Sequence, residues 1–398
     1  MVKRLWLLAW TMGVFGCGIM AGTLGLHRWQ GILGTVVLAV AFIMLALGWW
    51  RQMMEERRKV KHLQRRPRIA ALGGGTGLSV VLRGLKEFQV DLTAVVTVAD
   101  DGGSSGRLRT DLAMPPPGDI RNCLVALADT EPLLERLLQF RFPTGQGLAG
   151  HSFGNLFLAA MTHIMGDFET AIRETSRVLA VRGRVLPAVR EDVRLRAYLE
   201  DGSIVDGESN IPNAGKQIDR VELVPNKITA LPEALEAIRN ADAIVIGPGS
   251  LYTSVLPNLL VPGIVEAIVN SQAKKVYVCN VMTQPGETDS FSASKHVEVI
   301  YKHVGHRIFD YILVNASSLP IEALEKYQSQ SSYPVMADIE ALHRLGLRVI
   351  ARDFVHYATY ARHDSRLIAE QIVSLIGYDG PHPTPVQPEM AVGSRATR

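Results

Sequence analysis

The feature that most constrains the fold is a short apolar run that enters a cluster of glycines and is followed by a helix and a second apolar run. Residues 68–72 lead into Gly73–Gly77, residues 78–88 have helical periodicity, and residues 91–98 (DLTAVVTV) are typical of a buried strand. A strand–helix–strand unit predicts a parallel sheet. The same alternation resumes after residue 231. We therefore predict an α/β fold, a Rossmann-like parallel sheet with helices on both faces.

One stretch interrupts this alternation. Residues 184–225 contain the dipeptide Asp201-Gly202 between two alternating segments, a pattern typical of a hairpin turn. We predict a small antiparallel insertion there, within a main domain that spans residues 68–378. Residues 379–398 are rich in proline and then in small polar side chains, which predicts a disordered tail.

The first 50 residues differ in composition from the rest. Residues 5–26 and 32–50 carry no charge, and each is close to the roughly 20 residues that a membrane-spanning helix needs. All five tryptophans lie in this part, most of them near segment ends. We predict a two-helix transmembrane hairpin. A signal peptide is the alternative for residues 5–26, but the segment is long for one and a second apolar segment follows at once.

Basic residues predict the orientation of this hairpin. They precede the first segment and crowd the linker at residues 51–67, whereas only Arg28 lies between the segments. The positive-inside rule then predicts a protein of the cell membrane with both termini and the main domain in the cytoplasm.

Eleven Lys/Arg and two Asp/Glu give residues 1–68 a charge of +9, so the net +3 of the chain leaves −6 for the remainder. That charge excludes bulk electrostatic attraction to nucleic acid.

The first candidate site is the glycine cluster. Gly74, Gly75, Thr76 and Gly77 come between a strand and a helix, where backbone N–H groups and the helix dipole favour a phosphate. The third glycine of a dinucleotide-binding fingerprint is replaced by Leu78, and the Gly-Lys-Ser/Thr of a Walker loop is missing. The alternative interpretation is a tight turn with no ligand.

A second candidate follows the next strand. Asp100 and Asp101 would hold a ribose hydroxyl or a magnesium ion that bridges phosphates, while Ser104, Ser105 and Arg107 would bind the phosphates themselves. The alternative is a flexible surface loop with two solvated carboxylates. Three cysteines offer neither a disulfide framework nor metal-ligand spacing.

Further candidates begin helices or end strands. Asp119 is either a ligand group or an N-cap, and His151 is either a general base or a hydrogen-bonded structural residue. The Gly247–Ser250 junction predicts a second anion-binding helix start. The other residues that we expect to face a ligand are Arg121, Asn122, Asn155, Gly247, Gly249, Ser250, Asn280 and Arg362. No Ser–His–Asp order, nucleophilic cysteine context or zinc-protease motif is found.

Together these motifs resemble the YvcK-type gluconeogenesis factors, within the CofD-like superfamily of 2-phospho-L-lactate transferases. The similarity runs in order from about residue 69 to about residue 376 and excludes the N-terminal segments. It rests on IAALGGGTGLSVVLRGLK, TVADDGGSSGRLR, PPPGDIRNCL, GHSFGNL, IGPGSLYTSVLPNLLVPGI and VCNVMTQPGET.

The resemblance implies a nucleotide-sugar-binding domain, with UDP-N-acetylglucosamine as ligand, and a role in cell shape and envelope precursor supply during gluconeogenic growth. It implies that Tyr327 and Arg362 hold the nucleotide sugar. The transferase branch typically has Asn-x-Gly-Asp-Asp and Ser-Pro-Asp-Leu-Asp where this chain has Thr97–Asp101 and Pro115–Asp119. These differences favour a regulator over a transferase.

The first hypothesis is thus a membrane-anchored UDP-sugar-binding regulator that needs no cofactor, with magnesium as an optional ion. Its partner would be a cytoplasmic protein of amino-sugar or peptidoglycan synthesis, with a homo-oligomer left open. The second is a transferase of a phosphoryl-containing group, using Asp100, Asp101 and magnesium. The third, a nicotinamide-dependent oxidoreductase, is disfavoured by Leu78.

Overall fold

The computed structural model describes residues 40–53 without 42, and then 65–129, 132–357, 360–378 and 380–381. The chain divides into two compact units at Arg65 and Arg66. In the first unit, residues 40–41 and 43–53 are helical. The predicted span at residues 5–26, most of the basic linker and the tail from residue 382 lie outside the described residues.

Among the described helices none is by itself long and apolar enough to cross a membrane, and one bent pair, Leu251–Leu259 with Ile264–Asn270, meets the length and composition requirement.

The second unit is built on a seven-stranded sheet in the order β10-β9-β8-β7-β1-β2-β3, and all its strand pairs are parallel. A three-stranded antiparallel sheet, β5-β4-β6, and a hairpin, β11-β12, accompany it. The strands are β1 (Arg68–Gly73), β2 (Asp91–Val96), β3 (Arg184–Pro187), β4 (Arg194–Leu199), β5 (Ile204–Asp206), β6 (Ile218–Val224), β7 (Ala243–Ile246), β8 (Lys274–Val278), β9 (Tyr311–Asn315), β10 (Arg348–Arg352), β11 (Val355–Tyr357) and β12 (Ala361–His363).

Helices connect these strands and cover the sheet. A π-helix at Leu251–Val255 runs directly into a short α-helix. The α-helices are α1 (Gly75–Leu85), α2 (Gly103–Leu112), α3 (Gly118–Leu127), α4 (Pro132–Gln139), α5 (Phe153–Met165), α6 (Phe168–Val178), α7 (Pro232–Arg239), α8 (Leu256–Leu259), α9 (Ile264–Asn270), α10 (Ala293–Val304), α11 (Ile321–Gln328), α12 (Ile339–Arg344) and α13 (Ser365–Leu375).

The central strands explain why the sequence showed continuous apolar runs. All four residues of β7 are buried, as are five of the six in β1. Strands of a parallel sheet are covered on both faces, so their side chains are apolar without alternation. The predicted α/β parallel fold is confirmed, and so is the hairpin turn at Asp201-Gly202, which joins β4 to β5.

The structure corrects two expectations. Residues 184–187, predicted within the insertion, pair in parallel with β2 as the edge of the main sheet, and the antiparallel sheet spans Arg194–Val224. The Gly/Ser run after β2 is not the surface loop that was its alternative interpretation, because residues 103–112 form α2. The structure also contains the hairpin β11-β12 at residues 355–363, for which no prediction was made.

The sheet reverses its order between β1 and β7. From β1 the chain builds outward through β2 and β3, then returns to β7 on the other side and builds outward to β10. Two glycine loops leave the carboxyl ends of these neighbouring strands, Gly74–Gly77 after β1 and Gly247–Gly249 after β7. A crevice at such a switch point is where open α/β sheets bind ligands.

Substituting Gly77 tests the packing of these two loops. A Cβ atom at Gly77 would overlap the carbonyl group of Pro248, whereas one at Gly73 would meet only Leu78, at an ordinary 3.4 Å. We expect Gly77→Ala to lower the free energy of unfolding by about 1–3 kcal/mol. The matched variant Gly73→Ala should lose much less. Chemical denaturation measures both, and equal losses would contradict the contact.

Candidate functional site

The two glycine loops are held together by an asparagine from the next strand end. The amide of Asn280, which follows β8, accepts a hydrogen bond from Gly249 N–H at 3.0 Å and donates one to the Gly249 carbonyl oxygen at 2.8 Å. This pair of bonds uses both ends of the side-chain amide. Asn280 therefore positions the second glycine loop, in addition to lying at the wall of the adjoining cavity.

That cavity has a volume of about 420 Å³ and opens at the carboxyl edge of the sheet. Its size falls within the usual range for small-molecule sites, about 300–1,000 Å³. Residues distant in sequence form its walls: the two glycine loops on one side, and on the other the end of α11 and strand β12. Seven of the predicted site residues line it: Thr76, Gly77, Gly249, Ser250, Asn280, Tyr327 and Arg362.

Arg362 contributes a cation to this cavity. The residue is exposed, and within the described part of the chain its guanidinium group forms no ion pair or hydrogen bond. Tyr327 stands close by, fixed because its hydroxyl oxygen accepts a hydrogen bond from Ala361 N–H at 2.9 Å. Tyr327 and Arg362 thus line one cavity.

His363 also lines this cavity and was not predicted. Its Nε2 atom lies 2.9 Å from the carbonyl oxygen of Cys279 at the end of β8. Burial lowers the pKa of His363 to about 4, so the imidazole ring is neutral at physiological pH. The bond ties the hairpin β11-β12 to the main sheet.

A cluster of carboxyl groups lies on the other side of the first turn of α1. Asp119 is in the first turn of α3, where Pro117 takes the N-cap position, so of its two alternatives the N-cap is excluded. Its side chain instead contacts Gly74 so closely that a Cβ there would overlap it, and it accepts a hydrogen bond from Gly75 N–H. Burial, together with the neighbouring Asp100, raises the pKa of Asp119 to about 7.

The antiparallel sheet supplies the next acid of the cluster. Glu208 follows β5, and its Oε2 atom is enclosed with no hydrogen-bond partner in the described chain. Burial first, and then Asp119 and Asp100, raise the pKa of Glu208 well above its usual range. The adjacent Ser209 N–H donates a hydrogen bond of 2.9 Å to Asp101. Asp101 therefore holds the antiparallel sheet against the loop after β2.

The cluster is not a preformed metal centre. Across the described ranges, no three His, Cys, Asp or Glu side chains are arranged to hold a metal ion. One Asp100 oxygen already accepts Gly102 N–H at 2.8 Å. Carboxylate oxygens are nevertheless the ligands that magnesium prefers, so the donor chemistry of Asp100, Asp119 and Glu208 suits that ion.

Ser104 is the centre of a buried hydrogen-bond network. Its Oγ atom accepts from Ser152 N–H at 3.3 Å and from the Asn155 amide at 3.1 Å, and it lies 3.1 Å from Nδ1 of His151. With both acceptor positions used, the hydroxyl proton points to His151, so that Nδ1 is unprotonated. Arg121 Nε donates to Asn155 at 3.2 Å. The network joins α2, α3 and α5, which makes His151 a structural residue here.

The remaining predicted residues around this network are also used internally. Arg107 donates to the Ala149 carbonyl oxygen at 2.9 Å. Ser105 is buried against Gly118, and Asn122 lies half-buried on α3. None of these three lines the cavity.

The junction at Gly247–Ser250, predicted to be a second anion-binding helix start, has a different structure. Gly247 has a positive φ of 75° and makes the turn, but the helix that follows is the π-helix at Leu251–Val255. Buried Glu287 already occupies its N-terminus: it accepts from Tyr252 N–H at 3.2 Å and from the Thr253 hydroxyl at 3.1 Å. Burial raises the pKa of Glu287 to about 7. A carboxylate of the chain itself thus stands where a phosphate was expected.

Sequence reasoning missed Glu208, Glu287 and His363. Glu287 ends the predicted loop after β8 and could have been included as an acid at a strand end. His363 adjoins Arg362, but only its bond to Cys279 shows that it belongs to the cavity. Glu208 carries no signal, because nothing in an antiparallel insertion indicates which loop it covers.

Comparison with known proteins adds family evidence. The family described as 2-phospho-L-lactate transferase CofD matches residues 69–355. A relative named gluconeogenesis factor from Bacillus subtilis is 57% identical over 312 residues, 78% of this chain and 98% of the relative. One named putative gluconeogenesis factor from a Nostoc species is 52% identical over 81% of this chain and 71% of its own length. The crystal structure of a UPF0052 family member from Bacillus halodurans is similar with a TM-score of 0.76 and 56% identity, covering 78% of this chain and 99% of that one.

Asp119→Asn should change how stability depends on pH. A carboxyl group whose pKa rises from 3.8 in the unfolded chain to about 7 in the folded one favours folding below pH 3.8, and that contribution is lost as the pH rises through 7. In EDTA, the wild type should lose roughly 1–3 kcal/mol of unfolding free energy between pH 5 and 8 that Asp119→Asn retains. Denaturant titration across this range measures it.

Asp167→Asn is the matched control, since Asp167 is exposed and its pKa is lowered by hydrogen bonds from Thr170. Its slope between pH 5 and 8 should equal that of the wild type. An unchanged slope in Asp119→Asn would contradict the assignment.

Proposed function

Because this chain belongs to the CofD family, with close relatives named gluconeogenesis factor, we propose that it binds a UDP-sugar, UDP-N-acetylglucosamine, and acts as a regulator. The ligand occupies the cavity at the switch point between β1 and β7. The bound state then controls envelope precursor synthesis and cell shape during gluconeogenic growth.

One observation carries this proposal: Tyr327 and Arg362 line the same cavity as the two glycine loops. A UDP-sugar needs a flat surface for its base, positive charge for its diphosphate and polar groups for its sugars. The cavity offers the Tyr327 ring, the unpaired Arg362 guanidinium, the exposed Thr76 and the half-buried Gly77 in that combination.

The side chains that line the cavity favour a protein that binds its ligand over an enzyme that converts it. The described lining contains no carboxylate, lysine or cysteine, the groups that most often serve as acid, base or nucleophile beside histidine. A binder regulates by holding two states with different affinity. The loop after β8, which contributes Asn280, Thr283 and Gln284 to the walls, is the segment that would respond to ligand.

Magnesium and protein partners belong to the same proposal. Asp119, which contacts the first glycine loop, and the neighbouring Asp100 would hold a magnesium ion that accompanies the diphosphate, on the strength of their oxygen chemistry. The signal passes to a cytoplasmic protein of amino-sugar or peptidoglycan synthesis, with or without a homo-oligomer. The net charge of −6 after residue 68 argues against a nucleic-acid partner.

A second candidate is transfer of a phosphoryl-containing group from a nucleotide donor. It is favoured by the contact of Asp119 with Gly75 N–H and by the description of the matching family. Release of product from a labelled nucleotide donor, lost in Asp101→Asn, would put this candidate first.

We expect the full chain in detergent to bind UDP-N-acetylglucosamine in preference to GDP and NAD when titrated by calorimetry, with and without magnesium. Arg362→Ala should weaken binding roughly tenfold or more, because a charge-assisted hydrogen bond is worth about 1.5–3 kcal/mol.

Arg366→Ala is the matched control, since Arg366 lies four residues further along the chain, in the first turn of α13, and is paired with Glu370 at 2.7 Å. It should bind like the wild type. Preference for GDP or NAD, or equal loss in both arginine variants, would contradict the proposal.

We also propose that residues 5–26 and 32–50 anchor the chain in the cell membrane, on the strength of their length and lack of charge. The expressed full chain should stay with the membrane fraction after alkaline carbonate extraction, and a chain beginning at Arg66 should be released. Release of the full chain by carbonate would rule out a spanning anchor.

A further inference from the structure

We propose that His363 accepts a hydrogen bond at Nδ1 from a hydroxyl group of the bound sugar nucleotide and so helps to select it. This inference rests on the proposed function, since it concerns a ligand in the same cavity. It assigns a specificity role to a residue whose ring is fixed by the fold.

The proton position follows from the bond to Cys279. A backbone carbonyl oxygen can only accept, so the 2.9 Å contact requires that Nε2 of His363 carries the proton. A neutral imidazole ring has a single N–H group. Nδ1 is therefore a lone-pair acceptor, and the low pKa of the ring keeps it so.

Nδ1 is also available to a ligand. Within the described chain it has no hydrogen-bond partner, and it is not among the enclosed polar atoms that lack one. Since His363 lines the cavity and is only half-buried, the free acceptor belongs to the accessible part of the ring.

Several other polar side chains on the same walls are already paired. Both ends of the Asn280 amide bond Gly249. The Thr283 hydroxyl accepts from Tyr333 N–H at 2.9 Å, and the Ser332 hydroxyl donates to the Thr283 carbonyl oxygen at 2.6 Å. His363 thus adds an acceptor that is both unused and held in one orientation.

The position of His363 indicates what it would bind. It adjoins Arg362, where the proposed diphosphate lies, and a sugar flanks a nucleotide-sugar diphosphate on each side. Ribose and hexose hydroxyl groups donate hydrogen bonds readily to an imidazole nitrogen. A phosphate oxygen cannot, because it carries no proton at neutral pH and would face the lone pair.

Two variants of His363 test the roles of Nδ1 and Nε2 one at a time. Gln in place of His363 reaches the Nε2 position and can still donate to Cys279, but it has no acceptor at the Nδ1 position. Asn places its oxygen near Nδ1 and loses the bond to Cys279. We expect His363→Gln to unfold like the wild type yet bind UDP-N-acetylglucosamine roughly three- to tenfold more weakly. His363→Asn should unfold at a lower temperature and keep most of its affinity.

Calorimetry and thermal unfolding of the full chain measure both properties. Deoxy analogues of the ligand, lacking one ribose or hexose hydroxyl at a time, complete a double-mutant cycle. One analogue should weaken binding to the wild type and leave binding to His363→Gln unchanged. If affinity instead follows stability, or no analogue shows coupling, the role of His363 is overturned while the proposed function stands. If the wild type binds no UDP-sugar, both fall.

Discussion

The site depends on the close approach of two backbone loops where the sheet reverses its order. Gly77 packs directly on the carbonyl group of Pro248, and Asn280 fixes Gly249 from the next strand end. Only residues without a side chain allow β1 and β7 to bring their loops so near each other. The crevice that results is lined by residues of both glycine loops and by polar side chains, with room left for a small molecule.

Glycine loops before helices often bind phosphate, but in this protein carboxyl groups of the chain itself lie at the two helix starts. Asp119 contacts the first loop and Glu287 occupies the start of the π-helix, each with a pKa raised to about 7 by burial. At both helix starts a carboxyl group of the chain therefore already accepts a backbone N–H hydrogen bond. Positive charge for an anionic ligand comes instead from Arg362, which reaches the cavity on a hairpin from the far end of the chain.

The small antiparallel sheet contacts two of the loops near the site. Ser209 binds Asp101, Glu208 enters the carboxyl cluster, and Gly286 packs against the carbonyl group of Pro212. A single small element thus touches the loop after β2 and the loop after β8.

Sequence by itself determined the parallel sheet and the glycine junctions, because buried strands and glycine turns leave local patterns within a few residues. It also located the helix that follows the first glycine cluster. It did not show that residues 103–112 form a helix, and it left Asp119 open between a ligand group and a cap, since a Gly/Ser run and an acid near a helix start each have two local solutions. Only the tertiary structure decided which candidates share a cavity, placed Ser104 and His151 in the core, and gave Glu208 and His363 their roles. Those outcomes rest on contacts between segments far apart in the chain, which no local pattern records.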